Sequence, residues 1–167
     1  MNNVENLSGR DQDTVKSPTN FSWVIEGLLS GSGIPKSENE MDWVKENGVK
    51  AVLTLIKDPL PQSWISGLDY RHVPIIDKGA PSMNEIEQAV DFVDTCLKDK
   101  RPIMVHCVHG KGRTGAILIA YMIKIKGLDA DSAIQKIQQM RPGSLEDVSQ
   151  EMAIRRYEKY LKDNPSR

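Results

Sequence analysis

The stretch VHCVHGKGRTG, at residues 105–115, constrains this chain more than any other feature of its sequence. Those eleven positions hold one of the two cysteines, two of the three histidines and three glycines. They begin at the end of PIMVH (102–106), which is apolar enough for a strand covered on both faces, and lead into AILIAYMIKI (116–125), which predicts a buried helix. The stretch is therefore predicted to form a loop between the carboxyl end of a strand and the amino end of a helix.

A loop at such a junction favours the binding of an anion, because open α/β sheets place their ligands there. The helix start offers unpaired N–H groups and a positive dipole end, and glycines let successive amides point inward. Arg113 adds a planar guanidinium that matches phosphate oxygens with two parallel hydrogen bonds. Five residues separate it from Cys107, which is expected to be largely thiolate in this setting. The pattern is not the GxxxxGK[ST] of a Walker loop; it predicts a phosphate site that contains its own nucleophile.

The rest of the chain predicts short strands that alternate with helices. Apolar runs indicate an opening hairpin at 23–29, a strand at 51–56 and another at 70–75. Four further helices are predicted. Three of them begin at capping residues, namely Ser37 with Glu40, Ser82 with Glu85, and Asp129, and the last runs from about Asp147 to Leu161. The helix that begins at Asp129 is expected to bury Ile134, Ile137 and Met140. This order predicts an α/β fold with a central mixed, mostly parallel sheet flanked by helices.

Composition limits the class of protein. At 167 residues and 39% hydrophobic composition, the chain is predicted to bury one core, in a folded domain at 20–163. Residues 1–19, rich in Asn, Asp, Ser and Thr, are expected to form a flexible tail. A formal net charge of −1 gives no reason to expect nucleic acid as a partner. The two cysteines are too few for a disulfide scaffold, and no apolar run suits a signal peptide or a membrane span, so a cytoplasmic protein is expected.

The residues His106-Cys107-x-x-Gly110-x-x-Arg113-Thr114-Gly115 match the HCxxGxxR[ST]G signature of the cysteine-based protein tyrosine phosphatases. NFSWV near the start, the PxxD turn at 74–77, and RPGS followed by Gln-Glu also resemble the small atypical dual-specificity phosphatases of the VH-Z kind. This resemblance implies the dual-specificity phosphatase fold. It also implies a hydrolase, without a cofactor, that cleaves phosphotyrosine monoesters through a phosphocysteine intermediate; phosphoserine and phosphothreonine monoesters are further candidate substrates.

Each candidate residue has an expected role. Cys107 is expected to attack phosphorus, and Arg113 to hold the equatorial oxygens. The resemblance further implies that Asp77 is the general acid, that Thr114 stabilises the departing thiolate and that Gln150 positions the hydrolytic water. The phosphate-binding positions are expected to be Val108, His109, Gly110, Lys111, Gly112 and Arg113. Two residues are expected to support the loop without touching substrate: His106 and Arg141.

Other interpretations remain open. The same chemistry suits a phosphoinositide, inositol-phosphate or RNA 5′-phosphatase, an alternative that only Lys111 and His109 favour. A non-catalytic module that binds phosphate is a second alternative, although a binder has no need of a thiolate. A metal site is not expected, because ligands at 106, 107 and 109 strain tetrahedral geometry. Asp58 and Asp69 are weaker candidates for the acid, while Cys96 and His72 are expected in the core.

The expected partners are a phosphorylated protein or peptide and, in the loop, phosphate-type oxyanions such as phosphate, sulfate and vanadate. The sequence leaves undecided the natural substrate, the preference for phosphotyrosine over phosphoserine or phosphothreonine, and any lipid or inositol phosphate activity. It also leaves undecided the oligomeric state and the role of residues 1–19.

Overall fold

A computed structural model describes residues 16–165 and places five strands in one sheet. The strands are β1 (Ser22–Ile25), β2 (Leu29–Ser32), β3 (Ala51–Thr54), β4 (Asp69–His72) and β5 (Ile103–His106). Their order across the sheet is β1-β2-β5-β3-β4. Only the β1–β2 pair is antiparallel, and β5 lies between two parallel neighbours. The predicted mixed, mostly parallel sheet is confirmed.

Within residues 16–165, five α-helices cover the two faces of the sheet. They are α1 (Glu38–Glu46), α2 (Met83–Lys98), α3 (Gly112–Lys124), α4 (Ala130–Met140) and α5 (Val148–Asp163). Successive strand residues point to opposite faces, so Val52 and Met104 pack with α1, whereas Leu53 and Val105 join the larger core under the other helices. All four residues of β5 are buried, as predicted for PIMVH. No described helix is both long and apolar enough to cross a membrane.

Helix α3 is the centre of the larger core. Its residues from Arg113 to Ile123 are all buried, and it contacts α2, α4 and α5. A helix enclosed on every side has no freedom to shift relative to β5, which precedes it. The loop between β5 and α3 is therefore held between two rigid elements.

Several predicted details differ from the structure. Met140 is 42% exposed instead of buried, because α4 ends at that residue, beyond its buried positions Ile134 and Ile137. The strand predicted at 51–56 is assigned as β3 at 51–54, and the one predicted at 70–75 as β4 at 69–72. Backbone hydrogen bonds nevertheless continue beyond these ends, from Leu55 to His106, from Val73 to Thr54 and from Ile75 to Leu55.

The first helix also departs from its predicted capping box. Ser37 accepts the N–H of Glu40, as predicted, but the Glu40 carboxylate accepts the N–H of Lys36 instead of reaching back to Ser37. Helix α2 carries the complete box between Ser82 and Glu85.

The described part of the predicted tail already contacts the domain. Pro18 is buried, and the Thr19 carbonyl accepts the N–H of Gly33 at 2.7 Å. The folded contacts therefore begin two residues before the predicted boundary at residue 20. The rest of the predicted tail, apart from residues 16 and 17, lies outside the described residues.

Candidate active site

The loop between β5 and α3 has backbone carbonyl groups that are held from outside. The N–H of Ile34 donates to the Val108 carbonyl at 2.8 Å. The side-chain amide of Asn20 donates to the His109 and Gly110 carbonyls, at 3.2 Å each. Arg141 donates to the same Gly110 oxygen at 2.6 Å.

Outward carbonyls turn the following N–H groups inward. In a planar trans peptide the C=O and the next N–H point in opposite directions. The N–H groups of His109, Gly110 and Lys111 therefore face the concave side of the loop. Gly110 makes the curl possible, because its φ of +74° is disfavoured for other residues and a Cβ there would stand 2.5 Å from the Ser32 carbonyl carbon.

The first turn of α3 has no side-chain cap. The side chain of its N-cap residue, Lys111, has no acceptor to offer the N–H groups of the turn, although the Lys111 carbonyl accepts the N–H of Gly115. The other four helices are capped by side chains, those of Ser37, Ser82, Asp129 and Asp147. The free N–H groups of α3 add to the inward-facing amides, and together they suit a bound oxyanion.

Cys107 lies at the base of this concave loop. The residue is only 2% exposed, and the Thr114 hydroxyl donates a hydrogen bond to its Sγ at 3.1 Å. A hydroxyl donor stabilises the charged form of the sulfur. The contact also places Thr114 where a sulfur leaving group would develop charge.

Arg113 connects the loop to the segment after β4. Its side chain is 5% exposed; Nη1 donates to the Ile75 carbonyl at 3.2 Å, and Nη2 lies 3.3 Å from Asp77 Oδ1. The Asp77 side chain is 65% exposed. The structure thus brings Asp77 to the mouth of the loop, although it precedes Cys107 by 30 positions in the sequence.

Gln150 reaches the same place from α5. It is 3% exposed, and its carboxamide lies against the backbone of Gly112. Within residues 16–165 its Oε1 has no hydrogen-bond partner. A buried acceptor of this kind is costly unless it binds something, and water is the simplest candidate.

His106 supports the loop from below through a chain of hydrogen bonds. Its Nδ1 lies 3.2 Å from the Cys107 carbonyl, and its Nε2 lies 2.7 Å from the Thr54 hydroxyl. Thr54 in turn accepts from the Tyr70 hydroxyl at 2.9 Å. Burial, followed by the positive charge of Arg113, lowers the pKa of His106 to about 4. The ring is therefore neutral near pH 7, and the network assigns its proton to Nδ1, facing the carbonyl.

Cys107, Arg113, Asp77 and Gln150 line one cavity of about 510 Å³, whereas His106 and Thr114 lie outside its lining. The lining residues are Asp77, Lys78, Cys107, His109, Lys111, Gly112, Arg113, Glu146, Asp147 and Gln150. The sequence analysis did not single out Lys78, Glu146 or Asp147 as pocket residues. The sequence signal that could have identified them is their position, because Lys78 follows Asp77, and Glu146 and Asp147 lie shortly before Gln150.

Other residues named from the sequence lie away from this cavity. Asp69 forms an ion pair with Arg101, and Asp58 is exposed and does not line the cavity. Cys96 is fully buried in α2, as expected, but His72 is only half-buried, and its Nε2 lies 2.7 Å from the Ile56 carbonyl. The part of the chain described here contains no cluster of three His, Cys, Asp or Glu residues that suits a metal ion.

Comparisons with known proteins agree with one another. The protein family described as "Tc-R-P: Polymorphic toxin system, DSP-PTPase phosphatase" matches residues 30–127, more than half of the chain. The Protein-tyrosine-phosphatase IBR5 of Arabidopsis thaliana is 39% identical over 126 residues, which are 75% of this chain and 45% of that protein. The Phosphatidylglycerophosphate phosphatase PTPMT1 of Arabidopsis thaliana is 30% identical over 152 residues, 85% of this chain and 44% of that protein. The chain thus spans less than half the length of these two relatives.

A solved structure extends the similarity to the fold. The crystal structure of Tk-PTP in the active form superposes with a TM-score of 0.78 at 25% sequence identity. The match covers 84% of this chain and 97% of that one. The two folds therefore agree over nearly the whole of that protein.

The buried neutral His106 predicts a dependence of stability on pH. Its pKa is 6.5 when unperturbed and about 4 in the fold, so the unfolded chain gains a proton first as the pH falls. The contribution of His106 to the free energy of unfolding is fully present above pH 6.5 and is lost as the pH falls toward 4, by about 3 kcal/mol in total. Urea unfolding of wild type and His106→Asn across this range measures the effect. The variant keeps a donor near the Cys107 carbonyl but has no titrating ring, so it should show a smaller decline. Equal slopes for the two proteins would contradict the assignment.

Proposed function

The chain belongs to the dual-specificity phosphatases of the cysteine-based protein tyrosine phosphatase superfamily, and from that premise we propose that it hydrolyses phosphate monoesters through a phosphocysteine intermediate. One observation carries the proposal: the Thr114–Cys107 and Arg113–Asp77 contacts bring a thiol, a guanidinium and a carboxyl group to one cavity. A site for binding alone needs neither the thiolate nor the acid.

The first step transfers the phosphoryl group to sulfur. The Cys107 thiolate attacks phosphorus, a new S–P bond forms, and the P–O bond to the leaving group breaks. Asp77, protonated before the step, gives its proton to the departing oxygen. Arg113 and the inward N–H groups hold the three equatorial oxygens, whose charge is fixed in place before the reaction begins. Substrate binding replaces the Arg113–Asp77 contact with guanidinium–phosphate bonds, which releases Asp77 toward the leaving oxygen.

The second step clears the intermediate with water. The unpartnered Oε1 of Gln150 accepts a hydrogen bond from a water molecule and holds it near phosphorus. Asp77, now a carboxylate, takes the proton as the water oxygen bonds to phosphorus and the S–P bond breaks. The Thr114 hydroxyl stabilises the thiolate that leaves. Inorganic phosphate then dissociates, and no step requires a metal ion.

The proposed substrate is a phosphorylated protein or peptide. The rim of the cavity carries both signs of charge, with Lys78 and Lys111 offset by Glu146 and Asp147. Asp147 remains a carboxylate to low pH, because hydrogen bonds from the Ser149 side chain and N–H lower its pKa. A balanced rim suits a single phosphate on a side chain better than a headgroup with several phosphates. Phosphotyrosine is the first substrate to test.

A lipid phosphomonoester is the second candidate. One relative is a phosphatidylglycerophosphate phosphatase, and His109 and Lys111 line the cavity as exposed groups that could contact a headgroup.

We further propose that residues 20–163 form the catalytic domain and that the protein acts in the cytoplasm, where two cysteines remain reduced.

The nucleophile is tested by hydrolysis of para-nitrophenyl phosphate in the presence of EDTA. Cys107→Ser should lower kcat by roughly 10³-fold or more, because the hydroxyl is a far weaker nucleophile, yet it should keep affinity for vanadate or phosphate. Cys96→Ala, at the other cysteine and outside the cavity, should retain activity. Wild-type protein that is folded but inactive would instead favour the binding module.

The acid is tested with a series of aryl and alkyl phosphates. Asp77→Asn should slow the first step by about 10²-fold or more, with the largest losses for leaving groups of high pKa, which most need a proton. Asp58→Asn is the matched control, since Asp58 is also an exposed loop aspartate but does not line the cavity. Unchanged turnover of phosphotyrosine by Asp77→Asn would mean that the acid is another residue.

A panel of substrates separates the two candidate classes. Phosphotyrosine and phosphoserine peptides, phosphatidylinositol monophosphate and phosphatidylglycerophosphate are compared by kcat/KM under one condition. The balanced rim predicts at least about 10-fold higher kcat/KM for the peptides. Lys111→Met should then alter lipid hydrolysis more than peptide hydrolysis. A preference for either lipid would establish the second candidate.

A further inference from the structure

Arg141 follows α4 and lies beneath the loop, outside the cavity. The residue is 2% exposed; Nη1 donates to the Ser22 hydroxyl at 2.6 Å and to the Gly31 carbonyl at 3.0 Å, and Nη2 donates to the Gly110 carbonyl at 2.6 Å. The fit is close, because a Cβ at Gly31 would stand 2.8 Å from the guanidinium carbon. All three acceptors are neutral oxygens.

A buried guanidinium without a counter-charge is unusual. Moving a cation out of water costs several kcal/mol unless an opposite charge compensates, which is why buried arginines are normally paired. In residues 16–165 Arg101, Arg113 and Arg155 each contact a carboxylate, whereas Arg141 contacts none. Its Nε also has no hydrogen-bond partner among these residues. The hydrogen bonds hold the group in place but leave its positive charge uncompensated.

The group that can supply the opposite charge is the thiolate of Cys107. Arg141 bonds to the Gly110 carbonyl of the loop that encloses the sulfur. We infer that Arg141 is the buried counter-charge of the Cys107 thiolate, acting from behind the loop and never touching substrate. It is a positioning residue: it sets the fraction of Cys107 that is ionised while it holds the loop carbonyl outward.

The electrostatics of Arg141 support this pairing. Burial lowers the pKa of Arg141, and Cys107 is the charged group that opposes the fall. A cation in the interior acts at lower dielectric and with less screening than the exposed Lys78 and Lys111 at the rim. The sulfur is therefore influenced by two cations. Arg113 lies on the substrate side and would bind the phosphate, whereas Arg141 lies behind the loop and would keep its position when phosphate is bound.

The other groups that face Cys107 are accounted for. Those that titrate or carry charge are His106 from β5, which is neutral; Asp77 and Lys78 from the loop after β4; His109 and Lys111 from its own loop; Arg113 from α3; and Glu146 and Asp147 before α5. The Thr114 hydroxyl donates to the sulfur without charge. Removal of Arg141 leaves the charges of these groups in place but also frees the Gly110 carbonyl, so a variant that keeps the positive charge is needed to separate charge from loop shape.

The test measures ionisation of the thiol without requiring turnover. The inference rests on the proposed function only in treating Cys107 as a working thiolate, so the readout is the rate of alkylation by iodoacetamide across pH. The parent protein carries Cys96→Ala, which leaves Cys107 as its single cysteine. With Arg141→Met, the pH of half-maximal alkylation should rise by about one unit, a tenfold loss of thiolate at low pH. Arg141→Lys keeps the positive charge but lacks the planar guanidinium group. In this variant the pH of half-maximal alkylation should stay near that of the parent protein.

A distant arginine provides the matched control. Arg155→Met makes the same change of charge at a half-exposed position on α5, where the partners are Asp131 and Glu151, and should leave the alkylation profile unchanged. If Arg141→Met and Arg141→Lys raise the midpoint equally, or neither moves it, Arg141 acts only on loop shape and the inference fails. Turnover of para-nitrophenyl phosphate is recorded in parallel. A parent that alkylates as expected but does not hydrolyse would refute the proposed function alone.

Circular dichroism and thermal unfolding establish whether each variant folds. If Arg141→Met does not fold, the parent protein is alkylated at about 0.05 M and at about 1 M NaCl, since salt screens exposed charges but hardly affects buried ones. The inference expects midpoints that agree within about 0.3 pH unit. A larger upward shift of the midpoint in high salt would mean that the exposed cations Lys78 and Lys111 stabilise the thiolate, and it would overturn the inference.

Discussion

Outward-facing carbonyl groups determine the shape of the candidate site. Because each peptide is planar, fixing the carbonyls of Val108, His109 and Gly110 also fixes the direction of the next three N–H groups. The amide ring that would bind an oxyanion is thus specified by donors on its outer side, from Ile34, Asn20 and Arg141. The energy for holding these dipoles is supplied when the chain folds, so little reorganisation remains when a ligand arrives.

The groups proposed to act in catalysis come from elements that differ in burial. Cys107 and Arg113 lie at the junction of a buried strand and a fully buried helix, and Gln150 lies in a capped helix. Asp77 is on an exposed loop and reaches the site through a single ion pair with Arg113. In the proposed mechanism, binding and nucleophilic attack therefore depend on the fixed core, whereas proton delivery depends on an exposed side chain.

The sequence predicted most of the fold, because the capping residues and the apolar runs are local signals. The proximity of Cys107 and Arg113 was also predictable, because both residues lie in one short loop and a local spacing brings them together. Asp77 and Gln150 required a family resemblance, because no local pattern says that they approach the loop. The support from Asn20 was missed, since it bridges 89 and 90 residues of sequence and an isolated asparagine carries no such signal. Met140 was misplaced because helical periodicity does not reveal where a neighbouring core ends.

The long range of these contacts has a consequence for folding. Asn20 bonds across 89 and 90 residues and Arg141 across 31, so the loop takes its final shape only after both ends of the domain have come together. Contacts between distant residues form late, because the entropy of closing the intervening chain must be paid first. A nascent or partly unfolded chain would therefore carry Cys107 as an ordinary thiol. If Cys107 is the nucleophile that we propose, its reactivity depends on the completed domain, and an unfinished polypeptide would not react indiscriminately with electrophiles.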